Sequence, residues 1–239
     1  MSGRQYFYWD KGSRSGEVVL KLFSGYQGAL QTDGYERYEL LDGRKGVMLL
    51  ACWAHARRKF SDSIKNDKER AESALDQIQL LYEVERQIKD QSLSFEDAAK
   101  LRERLAYPIM VRFEKWLVAE HAKVIKGSPI EKAILYTYNR FNKLSRYHLD
   151  GRYNIDNNGI ENAARPVAVG RKNYLFCQND DTAESTAIIY SLMGCCKAAE
   201  VDFRKWLIYF LDHVHDYDEN YDKDIADLLP DNLRKAGIL

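Results

Sequence analysis

Long apolar runs are missing from this 239-residue chain. The two nearest, Val47 to Ala54 and Ala187 to Cys196, fall far short of the roughly 18 residues that a membrane-spanning helix needs. The first residues also lack the basic-then-apolar pattern of a secretory signal. The expectation is a soluble, cytoplasmic protein with no membrane partner. Proline is scarce, at 4 residues, and glycine unremarkable, at 14, which excludes collagen-like and low-complexity classes. Cys52, Cys177, Cys195 and Cys196 show no disulfide-like spacing and include no Cys-x-x-Cys pair, so reduced thiols are expected and a structural zinc site is not. An excess of charge of one sign is missing too. Lys+Arg and Asp+Glu both total 36, and a neutral molecule offers no overall attraction to nucleic acid. No Ser-His-Asp order, phosphate loop or dinucleotide fingerprint is present, which sets aside triad hydrolases, nucleotidases and dehydrogenases. His121, His148, His213 and His215 have no telling spacing, beyond a weak chelating possibility in His213-x-His215.

What is present is a packed globular composition, 45% hydrophobic and 30% charged, long enough for one sizeable domain or two small ones. Charge is unevenly spread. Residues 212–239 hold eight acids against Lys223, Arg234 and Lys235, a net of −5, so residues 1–211 carry +5. Gln5 to Trp9 is aromatic and reads as a strand, followed by a turn over Lys11 to Gly16. Gly28 to Thr32 and Val47 to Ala51 read as two more strands. The stretch Tyr35 to Leu41 between them suits a short helix, and the connection is long enough for a parallel crossover. Beyond Trp53 the period becomes helical: Ala71, Ala74, Leu75, Ile78, Leu81, Tyr82 and Ile88 line one face. Ser94 with Asp97, Pro108, and Ser128-Pro129-Ile130-Glu131 mark further helix starts. A polar stretch, Asn154 to Gly159, leads into a short helix near Glu161 that Arg165-Pro166 should end. Tyr174 to Cys177 reads as extended, and Thr182 to Ala199 and Asp202 to His213 as amphipathic helices. This order predicts an α/β core interrupted by a mostly helical insertion.

Two carboxylates stand where chemistry is common. Asp33 follows a strand and precedes Gly34, whose missing side chain permits a turn and close ligand approach. Glu161 sits at a helix start, where the dipole favours negative charge. An acid at a strand end and one on a helix can converge on a hard cation such as magnesium, and two such ions about 4 Å apart support phosphoryl transfer. The plain alternative is a turn aspartate and a helix-capping glutamate. Cys52 and His55, three apart, lack the four ligands of a structural zinc site and suit packing and hydrogen bonding. Arg57, Arg58 and Lys59 are three adjacent cations able to hold phosphates or to form a solvated helix face. Arg165, Arg171 and Lys172 form another basic group, with Tyr174 and Phe176 nearby as stacking or structural aromatics.

At these residues the sequence resembles the bacterial insertion-sequence-66 transposases. The resemblance rests on four motifs in the family's order. They are Gly28-Ala29-Leu30-Gln31-Thr32-Asp33-Gly34-Tyr35; Ala51-Cys52-Trp53-Ala54-His55-Ala56-Arg57-Arg58-Lys59-Phe60; Ile155-Asp156-Asn157-Asn158 with Glu161-Asn162-Ala163 and Arg165-Pro166; and Gly170-Arg171-Lys172-Asn173-Tyr174-Leu175-Phe176. The resemblance implies a ribonuclease H-like core whose Asp-Asp-Glu acids bind two magnesium or manganese ions for DNA strand cleavage and joining. By motif, Asp33 matches the second acid and Glu161 the third. The basic groups gain a role as DNA-backbone contacts, and Cys52, His55, Asn157 and Asn158 would support the site. Residues 1–60 would begin the core, 61–150 form the helical insertion, 151–213 complete the core, and 214–239 form an acidic tail.

One departure from the family follows. Its first acid lies some tens of residues before the Leu-Gln-Thr-Asp-Gly-Tyr motif, and 32 residues precede Asp33 here. Gln5 to Asp10 resembles the family's third strand, so Asp10 is not that acid. The expectation is therefore an incomplete core that lacks its first strands and leaves a sheet edge exposed, inactive alone. The alternative function is a non-catalytic DNA-binding or assembly module that pairs with an intact transposase or with a second copy.

Overall fold

The computed structural model describes residues 3–174, 176–218 and 222–239. It divides into two bodies, one of Ser15–Asn158 and one that joins Met1–Arg14 to Gly159–Leu239.

In the first body a helix, α1 (Gly16–Leu22), precedes two short strands, β1 (Gly28–Gln31) and β2 (Val47–Leu50). The strands pair in parallel, Gly28 opposite Val47 and Gln31 opposite Leu50, with a 3-10 helix over Glu36–Leu41 in the crossover. Alternation along the strands sends Leu30, Val47 and Leu49 against Val19 and Leu41 on one face, while Ala29, Leu50 and Ala51 turn to the main core on the other. The outer edges expected to lie bare are partly capped: Tyr26 donates its hydroxyl to the Ala29 carbonyl at 2.6 Å, and Arg146 donates to that of Leu49 at 2.9 Å.

The main core is helical. Helix α2 (Trp53–Ser63) buries Trp53, Ala56, Phe60 and Ser63 at three- and four-residue spacing. Helix α3 (Lys68–Asp90) buries Ala71, Ala74, Ile78, Leu81 and Val84, as its period predicts. Helix α4 (Phe95–Leu101) starts at Ser94, whose hydroxyl accepts from the Asp97 N–H at 3.1 Å. It passes through a wider turn at Arg102–Ala106, in which the Tyr107 N–H bonds to the Arg102 carbonyl five residues back, into α5 (Tyr107–His121). Next come α6 (Pro129–Asn139), α7 (Phe141–Ser145) and a 3-10 turn, Arg146–Leu149. Trp53, fully buried, packs edge-on to Phe141 at 6.1 Å between centroids and tilted to Phe113 at 6.0 Å, and donates its indole N–H to the Leu144 carbonyl at 2.9 Å. The helices expected as an insertion thus share one core with the strand-bearing segment: Leu50 and Ala51 cluster with residues of α2, α3, α5, α6 and α7.

The second body departs from expectation in three places. Gln5 to Trp9 is extended but is no strand. Its backbone groups are met by side chains of helix α9 (Asp180–Ala198): Phe7 N–H donates to Ser191 Oγ at 2.8 Å, and Cys195 Sγ donates to the Gln5 carbonyl at 3.4 Å. Helix α8 (Asn158–Tyr174) runs through Pro166 rather than ending there. Proline removes one N–H, and Asn162, Ala163 and Pro166 line a cavity of about 580 Å³ with Tyr190, Met193 and Phe203. Tyr174 accordingly closes a helix instead of opening an extended segment, and position 175 lies outside the described residues.

The acidic terminus carries buried apolar residues of its own. After α10 (Phe203–His213) come α11 (His215–Asp218), a 3-10 turn at Ile225–Leu228 and α12 (Pro230–Lys235). Leu228 and Leu233 are buried; Leu233 packs in a cluster with Trp206, whose indole N–H donates to the Leu228 carbonyl at 2.8 Å. Burial works against the charge of Asp231, but Arg4, at 3.1 and 3.2 Å, and Lys235 outweigh it and hold the carboxyl below its usual range. Apolar residues between the acids therefore decide the outcome. Mostly helical with one parallel strand pair among the described residues, the chain meets the α/β expectation in that coarse sense.

Candidate functional site

In open α/β sheets, ligands bind beyond the carboxyl ends of parallel strands. Here β1 ends in Thr32-Asp33-Gly34 and β2 in Ala51-Cys52, the latter leading directly into α2. Asp33 is exposed, and its Oδ1 accepts from the Tyr35 N–H at 2.9 Å, a local turn bond that leaves Oδ2 uncommitted to any described residue. Gly34 has φ +85°, a backbone state that side chains resist, and the Tyr136 hydroxyl and Arg140 Nε lie 2.9 and 3.0 Å from where a Cβ would stand. Helix α6 thus pins this loop. The Tyr136 hydroxyl donates to the Asp33 carbonyl at 3.4 Å, and Arg140 Nη2 donates to that of Gly34 at 3.2 Å. Burial pushes the Tyr136 hydroxyl pKa up, and Cys52 and Asp33 add to this against the pull of Arg140.

The segment before α8 is stitched to the same strand ends. Gln31 donates its side-chain amide to the Asn154 carbonyl at 2.9 Å, Trp53 N–H donates to the Ile155 carbonyl at 3.1 Å, and Asn157 N–H meets Cys52 Sγ at 3.5 Å. Cys52 is buried, which raises its thiol pKa despite the backbone N–H groups of Asn157, His55 and Ala54 that lower it. Asn157 is buried beside it. Asp156 accepts from the Tyr82 hydroxyl at 2.8 Å and from both the backbone and side-chain N–H groups of Asn158, at 3.1 and 2.8 Å. That contact ties the long helix α3 to the loop. Burial first, and Asp156 next, raise the pKa of Tyr82.

Arg57, Arg58 and Lys59 lie on the exposed face of α2, and none forms an ion pair among the described residues. Lys59 Nζ stands 5.5 Å from the centroid of the Tyr136 ring, over whose face Arg140 also stacks at 4.2 Å. The structure therefore brings together Asp33, Cys52, Lys59 and Asn157 with two residues that the sequence did not single out, Tyr136 and Arg140. Their four-residue spacing, with Tyr136 in the last turn of α6 and Arg140 just past its end, was the available signal. Glu161, Arg165, Arg171 and Lys172 belong to the other body. There Glu161 stands in the first turn of α8, and the three cations are exposed along that helix.

A model described as "Transposase IS66 family" matches residues 3–185. The chain belongs to the IS66 transposase family. It is 31% identical to the uncharacterized protein y4hP of Sinorhizobium fredii over 96% of its own length and 44% of that protein. It is likewise 31% identical to y4jD and y4qI of the same organism, over 84% and 87% of its length and 40% of each of theirs. The chain thus spans less than half the length of these relatives. No solved structure matches it. Among the described residues no helix is long and apolar enough to cross a membrane.

A pair of hard divalent cations would need several carboxylate oxygens at the strand ends. Among the described residues no group of three or more His, Cys, Asp or Glu side chains can hold a metal ion. Asp33 offers one uncommitted carboxylate oxygen, whereas Asp156 spends both of its oxygens on Tyr82 and Asn158. The donor set does not fit a complete two-metal centre.

Proposed function

We propose that this chain is part of the catalytic region of a transposase that cleaves and joins DNA strands, with Asp33 and Glu161 as two of its metal-binding acids. The observation that carries the reading is the position of Asp33, at the carboxyl end of a parallel strand in the family's motif, with one oxygen uncommitted. The ribonuclease H-like character of the core is part of this proposal, supported by the parallel strand pair with helices on both of its faces. So is magnesium, or manganese, as the ion that Asp33 and Glu161 would hold, since hard cations favour carboxylate oxygens. The exposed cations Arg57, Arg58 and Lys59, and Arg165, Arg171 and Lys172, are proposed to contact DNA phosphates.

With no set of three acids among the described residues, the chain alone is expected not to cut DNA. Incubation of the purified protein with supercoiled plasmid and magnesium tests this. No metal-dependent nicking is the expected result, and robust nicking that Asp33→Asn abolishes would refute the claim of an incomplete site. The same missing set favours a second reading, a DNA-binding or assembly module that pairs with an intact transposase or a second copy. Salt-sensitive DNA retention unchanged by Asp33→Asn or Glu161→Gln, together with mixed complexes, would select it.

A further inference from the structure

We propose that Arg140, Tyr136 and Lys59 form a cradle for a DNA backbone phosphate beside the Asp33–Gly34 turn. This deepens the proposed function and rests on its claim that the chain engages DNA. Neither Tyr136 nor Arg140 belongs to the motifs that carry the family resemblance.

The first support is an imbalance of charge. Cations on the neighbouring stretch are neutralised: Lys143 pairs with Glu39 and, at 3.1 Å, with Asp42, and Arg146 reaches Asp42 at 3.9 Å. Buried Arg102 is forked onto Glu85 at 2.6 and 2.9 Å and also donates to two carbonyls. Half-buried Arg140 has no carboxylate among the described residues. It spends one of its five donors, on the Gly34 carbonyl, and its Nε is buried with no acceptor. A partly desolvated guanidinium without an anion is costly, and the cost is relieved when an anion arrives.

The second support is geometry. Arg140 and Lys59 both stand over one aromatic ring, at 4.2 and 5.5 Å from its centroid, so the Tyr136 ring is flanked by two cations. Gly34 leaves open the space that a Cβ would fill between the Tyr136 hydroxyl and Arg140 Nε. A planar guanidinium with its Nη1 donors unspent matches phosphate oxygens, and Lys59 supplies a point charge from the adjoining helix. Arg57 and Arg58 continue the positive surface along α2, which fits an extended polyanion better than a single small anion.

The test is anisotropy of a short fluorescent DNA duplex titrated with the full chain across a sodium chloride series. Arg140→Gln and Lys59→Gln should each lower affinity about eightfold at 0.1 M salt and reduce the salt slope by about 0.9, as loss of one phosphate contact requires. Arg140→Lys, which keeps the charge, should retain most of the slope. If Arg140→Gln does not fold, Lys59→Gln and Arg140→Lys carry the comparison. The cradle is overturned if wild-type slope and affinity persist in Lys59→Gln and Arg140→Gln while Arg57→Gln weakens binding, and the proposed function would then stand. It is overturned as well if Arg140→Lys loses binding along with thermal stability, because the role would be structural. No binding by the wild-type chain would instead remove the DNA-engaging reading on which the cradle rests.

Discussion

Gly34→Ala probes the loop that presents Asp33, and its cost can be worked from the structure. At φ +85° an alanine carries a strain of about 1–2 kcal/mol. A smaller unfolded-state entropy returns about 0.4–1 kcal/mol of that. The new Cβ would stand 2.9 Å from the Tyr136 hydroxyl and 3.0 Å from Arg140 Nε, so both side-chain ends must shift. Losing the Arg140 bond to the Gly34 carbonyl adds about 1 kcal/mol. The net expectation is a loss of about 1–2.5 kcal/mol, or roughly 2–10 °C in Tm. Urea unfolding followed by tryptophan fluorescence reads it, since Trp53 and Trp116 report on the body that holds the loop. In an Arg140→Ala background one of the two close contacts, and the bond to the Gly34 carbonyl, are already gone, so the two substitutions should be non-additive, with a coupling of about 1 kcal/mol. Strict additivity, or no loss in the single variant, would refute the packing of α6 against this turn.

Three further outcomes are expected. Arg102→Met leaves Glu85 and the carbonyls of Tyr147 and Asp150 without their donor and should cost about 3 kcal/mol or more, read by urea unfolding. Trp53→Phe removes the indole bond to the Leu144 carbonyl and buried volume together, and should lower stability by about 2 kcal/mol without aggregation if the fold is retained. Asp150 is held down to about 2 by hydrogen bonds from Arg152. Its folded-state pKa is depressed, so its contribution is fully present above the ordinary carboxyl range and is lost as pH falls through that range toward about 2. Asp150→Asn should therefore flatten this part of the acid limb of the stability curve, and an unchanged limb would count against the pairing.

Elements that a single local rule governs were legible in the sequence. The buried face of α3 followed from apolar period, and the caps at Ser94 and Ser128 followed from hydroxyls placed before the first turn. β1 and β2 lay within a residue of their expected ends. Elements set by distant packing were not legible. Gln5 to Trp9 has strand-like residues, but the groups that satisfy its backbone lie on α9, more than 180 residues later. Pro166 signals a helix end to any local rule, yet α8 runs through it. In the acidic terminus, charge density concealed Leu228 and Leu233. At the site, the position of Asp33 was legible from its motif. Tyr136 and Arg140 were not, because a tyrosine and an arginine at a helix end acquire meaning only where that end meets the Asp33–Gly34 turn.

The most direct test of the central claim is manganese binding, followed by the paramagnetic resonance of the free ion, in the wild-type chain, Asp33→Asn, Glu161→Gln and the double variant. Asparagine at position 33 keeps an oxygen for the Tyr35 N–H, so the turn is preserved while the charge is removed. If both acids hold the same ion, each single substitution should abolish binding as completely as the double. Two independent losses that sum in the double variant, or binding indifferent to either residue, would contradict the account.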